Sequence, residues 1–320
     1  MPVNSNKPEQ WKTDIVRSVD FFNKWFMQFA PKAFRETRTQ TTEKVLAALK
    51  STQNLTKITP NTLQQTPSVL SMLRMATAPP IARDRLIGLA GVPPNLVKSM
   101  ELEEKIPPRM GHDKIGAELK KIIQIINRLA DKDVFTWLDS GKNPNQAELL
   151  RAATIVADRL CGAVADPIIR NAQEKRQLAS IRKWLGQRGY KLIEAGKKWD
   201  FRQMSKGTFA FRLNVAAHQA SRSKPVSIPI DAVIMPLNAR AGDFPILIEA
   251  KSAGDFTNTN KRRKEEAIKV TQLRKTYGKN LIFILFLCGY FDSGYLGYEA
   301  AEGIDWVWEH RIDDLQKLGI

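Results

Sequence analysis

The chain has 320 residues, of which 43% are hydrophobic, enough for one large domain or two of ordinary size. Its 50 Lys and Arg residues against 33 Asp and Glu give a formal charge of +17, which predicts a polyanionic partner, nucleic acid before an anionic membrane. No apolar run reaches the roughly 20 residues of a spanning helix and the start lacks a signal-peptide core, so we expect a cytoplasmic protein.

The first half of the chain reads as helical. In "DIVRSVDFFNKWFMQFAPKAF" the apolar residues recur every three to four positions, and Pro31 is expected to end this helix. Proline-rich segments such as "TAPPIARDR" separate shorter helices. We therefore predict a helical region over residues 1–165, with a possible role in DNA recognition or dimerisation. Arg83 and Arg85 lie beside prolines and glycines, as in a loop or short helix that enters a groove of DNA.

The character of the chain changes near residue 165. A helical segment, 171–189, is followed by the β-rich runs "YKLIEAG", "GTFAFRLNVAA", "VSIPIDAVIMP" and "FPILIEAKS", each bounded by Gly, Pro or Ser. A charged helical stretch from about residue 260 to 277 precedes another apolar run, "NLIFILFLCG". This order predicts an α/β fold of the α+β kind over residues 166–320, with a central mixed β-sheet flanked by helices.

Three charged side chains are expected to meet on this sheet. Glu249 and Lys251 are two residues apart on a strand and so share a face, and Asp231 joins them if the two neighbouring strands pair. Carboxylate oxygens suit Mg²⁺, which uses one or two protein carboxylates together with phosphate oxygens of the substrate. A lysine beside such an ion can position or activate the attacking water. The pattern therefore predicts hydrolysis of a phosphodiester.

No pattern in the sequence favours a sulfur or imidazole metal site. Cys161 and Cys288 lie far apart in apolar surroundings, which indicates buried structural thiols. His112, His218 and His310 have no Cys or His neighbour at ligand spacing, so any metal is expected to be held by oxygen.

The order "PID" and then "EAK" resembles the PD-(D/E)xK nuclease motif, although Pro229 stands two residues before the aspartate. Together with "PSVLSMLRMATAPPIARDRLIGLAGV" and "FILFLCGYFDSGYLGYEAAEGIDWVWEHRIDDL", these segments are similar to the XamI-type family of type II restriction endonucleases. The resemblance implies a restriction-endonuclease-like core, with Asp231 and Glu249 as metal ligands and Lys251 as the catalytic lysine.

The same resemblance implies a Mg²⁺-dependent enzyme, with Mn²⁺ as a substitute, that cuts both strands of DNA at a short sequence in a prokaryotic cytoplasm. A cognate DNA methyltransferase would protect the host genome without binding the enzyme. Cutting a palindromic site with one active site per chain predicts a homodimer.

Further residues near these three are candidates. Glu174, on the helix before the first strand, is a candidate additional acid near the metal. A polar and basic segment after the second carboxylate is expected to contact the DNA backbone, and we assign this role to Asn258, Asn260, Lys261, Arg262, Arg263 and Lys264.

Two other interpretations stay open from the residues. A structure-specific or repair nuclease on the same core would cleave DNA without a fixed short sequence. A basic DNA-binding protein with a degenerate core would bind DNA and not cleave it.

Overall fold

A computed structural model of the chain describes residues 2–194, 200–217, 225–240, 242–256 and 259–320, but not the side chains of His112, 163–166 and 259–263. These residues divide into two compact units, one formed by Met1–Phe29 with Ile169–Ile320 and the other by Ala30–Ile168. The sequence places a boundary after residue 165; in the structure the first 29 residues group with the C-terminal unit. Within the described ranges, no helix has both the length and the apolar character needed to cross a membrane.

The first half of the chain is helical, as the sequence predicts. Its helices are α1 (Pro8–Ser51), α2 (Pro60–Gln65), α3 (Val69–Met75), α4 (Arg83–Ala90), α5 (Pro94–Leu102), α6 (His112–Leu129), α7 (Trp137–Ser140) and α8 (Gln146–Gly186). The unit Ala30–Ile168 has its own core, with Leu70, Leu73, Leu96, Ile122 and Phe135 buried at its centre.

The prediction that Pro31 ends the first helix is wrong, because α1 continues through it to Ser51. Proline removes one backbone hydrogen bond and costs a helix interior about 3 kcal/mol. The turns after it bury Val45, Ala48 and Leu49 in the helical unit. Burial of three apolar side chains is worth more than that penalty, so the helix can continue.

The other unit is built on a mixed sheet, which confirms the predicted fold class. Its described strands, in spatial order, are β1 (Lys191–Leu192), β2 (Thr208–Ala217), β3 (Val226–Met235), β4 (Ile246–Ala253), β5 (Phe283–Gly289) and β6 (Asp305–Trp308). Strand β2 is antiparallel to β3, and β3 is antiparallel to β4. At one edge β1 is parallel to β2. At the other edge β5 is parallel to both β4 and β6.

Helices cover both faces of this sheet. The C-terminal part of α8 packs Leu178, Ile181 and Trp184 on one face. On the other face lie α9 (Thr259–Tyr277), through Val270 and Leu273, and α10 (Ser293–Ala301). Short 3₁₀ helices occupy Phe201–Gln203 and Glu309–Leu318. The two layers bury β4 and β5 on both sides, so charged groups on these strands are held in largely dry surroundings.

Candidate active site

The site forms where β3 and β4 stop pairing. Their last described pair in this direction is Ala232 with Ile248, so one further step of the antiparallel register brings Asp231 beside Glu249. Beyond that point β4 continues alongside β5, while β3 continues alongside β2. The backbone N–H of Ala250 donates instead to Oδ2 of Asp231, at 2.8 Å. The carboxylate of Asp231 therefore bridges the opening between β3 and β4, and the hydrogen bond from Ala250 fixes its orientation.

The predicted pair on β4 is confirmed as a contact. Nζ of Lys251 lies 3.0 Å from Oε1 of Glu249, and both side chains leave the same face of the strand. Glu249 is only 6% exposed, so its charge requires partners. A second ammonium group, that of Lys269 on α9, reaches the same Oε1 at 2.7 Å. Oε2 of Glu249, in contrast, is buried and has no hydrogen-bond partner among the described residues.

The pKa values of Asp231 and Lys251 both differ from the ordinary values of these side chains. Burial, followed by the neighbouring charge of Glu249, raises the pKa of Asp231 to about 6. Burial alone would lower the pKa of Lys251, but the charges of Glu249 and Glu266 outweigh it, so its pKa is raised and the ammonium form is favoured. Two carboxylates are thus crowded together and only partly neutralised, which is the situation that a divalent cation relieves.

A surface cavity of about 340 Å³ opens over these groups. Its lining includes Asp231, Glu249 and Lys251 from the strands and Glu174 from α8, so the structure brings these four predicted residues together. Glu174 accepts from the guanidinium of Arg212, at 2.7 Å. Its carboxylate is therefore held at the cavity, with an arginine as its present partner.

The residues present fit a Mg²⁺ ion. Glu249 offers a buried oxygen that no described side chain or backbone group contacts by a hydrogen bond, and Asp231 offers a second oxygen beside the one that accepts from Ala250. No group of three or more His, Cys, Asp or Glu with metal-binding geometry occurs in the described residues. Mg²⁺ needs only one or two protein carboxylates, because water and substrate phosphate complete its shell.

Several residues around the site were not identified from the sequence. Gln177 of α8, 1% exposed, donates to the carbonyl oxygens of Lys251 and Phe286 and so fixes the backbone at the end of β4. Glu266 and Lys269 approach from α9. A signal for Glu266 exists, because it precedes the apolar positions 270, 273 and 277 at helical spacing.

The predicted DNA contacts are only partly described. Asn258 lies outside the described residues, and for Asn260, Lys261, Arg262 and Arg263 the described part is the helical backbone of α9 alone. Lys264 is exposed on α9, and Arg85 is exposed on α4. Arg83 donates to Glu101 at 2.9 Å, within an ion cluster that also contains Arg74. DNA contact by these residues stays a prediction.

The comparisons with known proteins agree with one another. Residues 53–308 match the XamI restriction endonuclease family. The chain is also similar to the type II restriction enzyme SalI of Streptomyces albus G, with 53% identity over 319 residues that cover 99% of both chains. No solved structure matches the chain.

Proposed function

The chain belongs to the XamI family of restriction endonucleases, and from this premise we propose that it hydrolyses one phosphodiester in each strand of DNA at a specific short sequence. The observation that carries the proposal is the convergence of Asp231, Glu249 and Lys251 in one cavity at the opening between β3 and β4. The same three side chains form the motif resemblance and lie within residues 53–308, which match the family.

We assign the metal-ligand role to Asp231 and Glu249. These two carboxylates would hold a Mg²⁺ ion, which would supply Lewis-acid chemistry for the activation of water and offset charge on the phosphate. The hydrogen bond from Ala250 keeps Asp231 turned toward the cavity. Lys251 and Lys269 contact Oε1 of Glu249, and within the described ranges Oε2 is left without a hydrogen-bond partner. Mn²⁺, which accepts similar oxygen ligands, is expected to substitute for Mg²⁺.

Lys251 acts in this proposal as a cation and not as a base. Its ammonium group contacts the carboxylates of Glu249 and Glu266, and both charges favour retention of the proton. A fixed ammonium group can orient the attacking water and stabilise the negative charge that grows on the phosphate oxygens. Glu174, at the cavity rim, is proposed as an additional acid that Arg212 releases when metal and DNA bind.

DNA supplies the polyanion that the +17 formal charge predicts. We propose that exposed cations on α9, including Lys264, contact the phosphates on one side of the cavity. Arg85 and the helical unit are proposed to serve recognition or dimerisation. One active site per chain and two strands to cut favour a homodimer. A cognate methyltransferase and a prokaryotic cytoplasmic location complete the proposal.

Digestion of unmethylated phage or plasmid DNA with Mg²⁺, followed by run-off sequencing of the ends, tests the proposal. We expect discrete fragments with ends at one short sequence, no cleavage in excess EDTA, and cleavage again when Mg²⁺ or Mn²⁺ is restored. A smear without a common end would indicate a structure-specific or repair nuclease. DNA retardation without cleavage in either metal would indicate a binding protein.

A further inference from the structure

The ammonium group of Lys251 lies between two carboxylates. On one side is Glu249 of β4, at 3.0 Å, and on the other is Glu266 of α9, at 3.5 Å. The side chain of Lys251 is 24% exposed, so it reaches the cavity while most of its length is held inside the protein. A lysine has four rotatable side-chain bonds, so its ammonium group occupies one position only if surrounding charges select it.

Glu266 is more deeply buried than a carboxylate normally is. It is 1% exposed, and the hydroxyl of Tyr295 donates to its Oε2 at 2.5 Å. In the part of the chain that the structure describes, Lys251 is the ion-pair partner found for Glu266. A buried carboxylate without a cation is strongly unfavourable, because the loss of its hydration is not offset. The buried charge of Glu266 therefore restrains the position of Lys251.

A third acid lies in the same buried cluster. Glu299 of α10 is fully buried, next to Glu266 and Tyr295. Burial, followed by the charge of Glu266, raises the pKa of Glu299 well above its usual value. Glu299 therefore favours its protonated form, whereas Glu266 is the acid that faces the ammonium group of Lys251.

We propose that Glu266, itself held by Tyr295, is a positioning residue that fixes the ammonium group of Lys251 in the active site. This inference rests on the proposed role of Lys251 in cleavage. Glu249 is also a proposed metal ligand, so its charge is shared with the ion in the loaded enzyme. Among the described residues, Glu266 contacts neither of the two proposed metal ligands, so its charge remains available to Lys251 when the ion is bound.

The fold provides a matched pair of variants. Glu266→Gln keeps the shape of a buried side chain and removes the charge that faces Lys251. Glu299→Gln makes the same substitution in the same buried cluster, but replaces a carboxyl group that is already neutral. Tyr295→Phe removes only the hydroxyl that holds Glu266. Loss of packing would affect the two glutamine variants alike, whereas loss of positioning affects only Glu266→Gln.

The experiment measures single-turnover cleavage with Mg²⁺ and DNA affinity with Ca²⁺ for full-length wild-type protein, these three variants and Lys251→Ala. For Glu266→Gln we expect the rate to fall about 10- to 100-fold, the loss typical of a misplaced catalytic group. Its DNA affinity should stay within about twofold, since only the reacting geometry changes. Glu299→Gln should match the wild type, and Tyr295→Phe should lose rate in the same direction as Glu266→Gln but less.

The outcomes distinguish this inference from the proposed function. A wild-type rate for Glu266→Gln, with Lys251→Ala inactive, overturns the positioning role and leaves the catalytic role of Lys251 intact. A wild-type rate for Lys251→Ala overturns the catalytic role of Lys251, on which this inference rests, whereas absence of cleavage by the wild-type protein overturns the proposed function. An equal loss in Glu266→Gln and Glu299→Gln assigns the cluster to packing. If Glu266→Gln does not fold, Tyr295→Phe decides: a lower rate at unchanged affinity supports the role, and an unchanged rate contradicts it.

Discussion

Arg212 and Asp231 lie opposite each other on β2 and β3 without forming a ladder pair. The pairs on either side are Phe211 with Ala232 and Leu213 with Ile230, and Arg212 has a φ of +53°. In both strands the side chains alternate between the two faces of the sheet, and this alternation shifts by one residue here. A charged residue at this position is therefore not forced into either core layer, and Asp231 can turn to the opening beside β4.

The positive φ of Arg212 predicts a difference between two substitutions at this position. Arg212→Gly and Arg212→Ala both lose the ion pair with Glu174, but only glycine adopts a left-handed backbone without steric cost. We expect Arg212→Gly to be more stable than Arg212→Ala by about 1 kcal/mol. Urea unfolding of the two variants measures this. Equal stability, or a more stable alanine variant, would mean that the backbone here is not left-handed in solution.

The raised pKa of Asp231 makes metal-free stability depend on pH. The pKa of Asp231 is about 6 in the folded protein, against an ordinary value of 3.8. The folded state therefore binds this proton more tightly than the unfolded state, which stabilises the fold at low pH. This stabilisation is lost as the pH rises through 6. Asp231→Asn removes the titration and keeps an acceptor for Ala250. The variant should therefore gain stability over wild type between pH 4 and 6, to at most about 3 kcal/mol at neutral pH.

Urea unfolding in EDTA at several pH values tests the effect, with Asp133→Asn, an exposed aspartate, as the control. A stability difference for Asp231→Asn that does not change with pH would contradict the burial of a charge at Asp231. Added Mg²⁺ should reduce the advantage of Asp231→Asn, because the ion stabilises only the wild-type site.

Lys269 places a second cation on Glu249, at 2.7 Å. Its ammonium group repels a divalent ion at the same carboxylate. The variant Lys269→Met should therefore bind Mn²⁺ more tightly in the absence of DNA, by at least about threefold. Titration of Mn²⁺ followed by electron paramagnetic resonance measures this affinity. Lys264→Met, which removes an exposed lysine of the same helix, should leave it unchanged. Weaker Mn²⁺ binding by Lys269→Met would show instead that Lys269 orients Glu249 for the metal.

The basic start of α9 predicts a salt-dependent contribution to DNA binding. Each phosphate contact adds about one unit to the slope of log affinity against log salt, so Arg262→Ala with Arg263→Ala should reduce the slope by about two units. Lys275→Ala with Lys279→Ala removes two exposed cations, one in the last turn of the helix and one just beyond it, about 20 Å away, and should not change the slope. Equal slopes for wild type and the first double variant would remove Arg262 and Arg263 from the interface.

Local sequence pattern was enough to predict the centre of the site. Glu249 and Lys251 share a strand face because side chains alternate, and the contact between them follows from that period alone. The β-rich runs and the charged helix after them were confirmed as β1 to β5 and α9.

What the sequence missed depends on contacts between distant segments. The helix through Pro31 persists because of burial in turns far along the chain, which a local proline rule does not consider. Glu266 resembles a surface partner of Arg262 at i,i+4 spacing, yet α9 turns it inward to Lys251 and Tyr295. Lys269 reaches Glu249 only because α9 packs on the face of the sheet from which the Glu249 side chain leaves β4. The positive φ of Arg212 has no signal in residue type.

The central claim is that Asp231, Glu249 and Lys251 form one cleavage centre that is separate from DNA binding. The most direct measurement is single-turnover cleavage of cognate DNA with Mg²⁺ by Asp231→Ala, Glu249→Ala and Lys251→Ala, beside their DNA affinity with Ca²⁺. We predict that each variant loses at least about a thousandfold in rate, as expected when a charged group that stabilises the transition state is removed, and still binds DNA. Cleavage near the wild-type rate by any of the three, or loss of folding in all three, would contradict the claim.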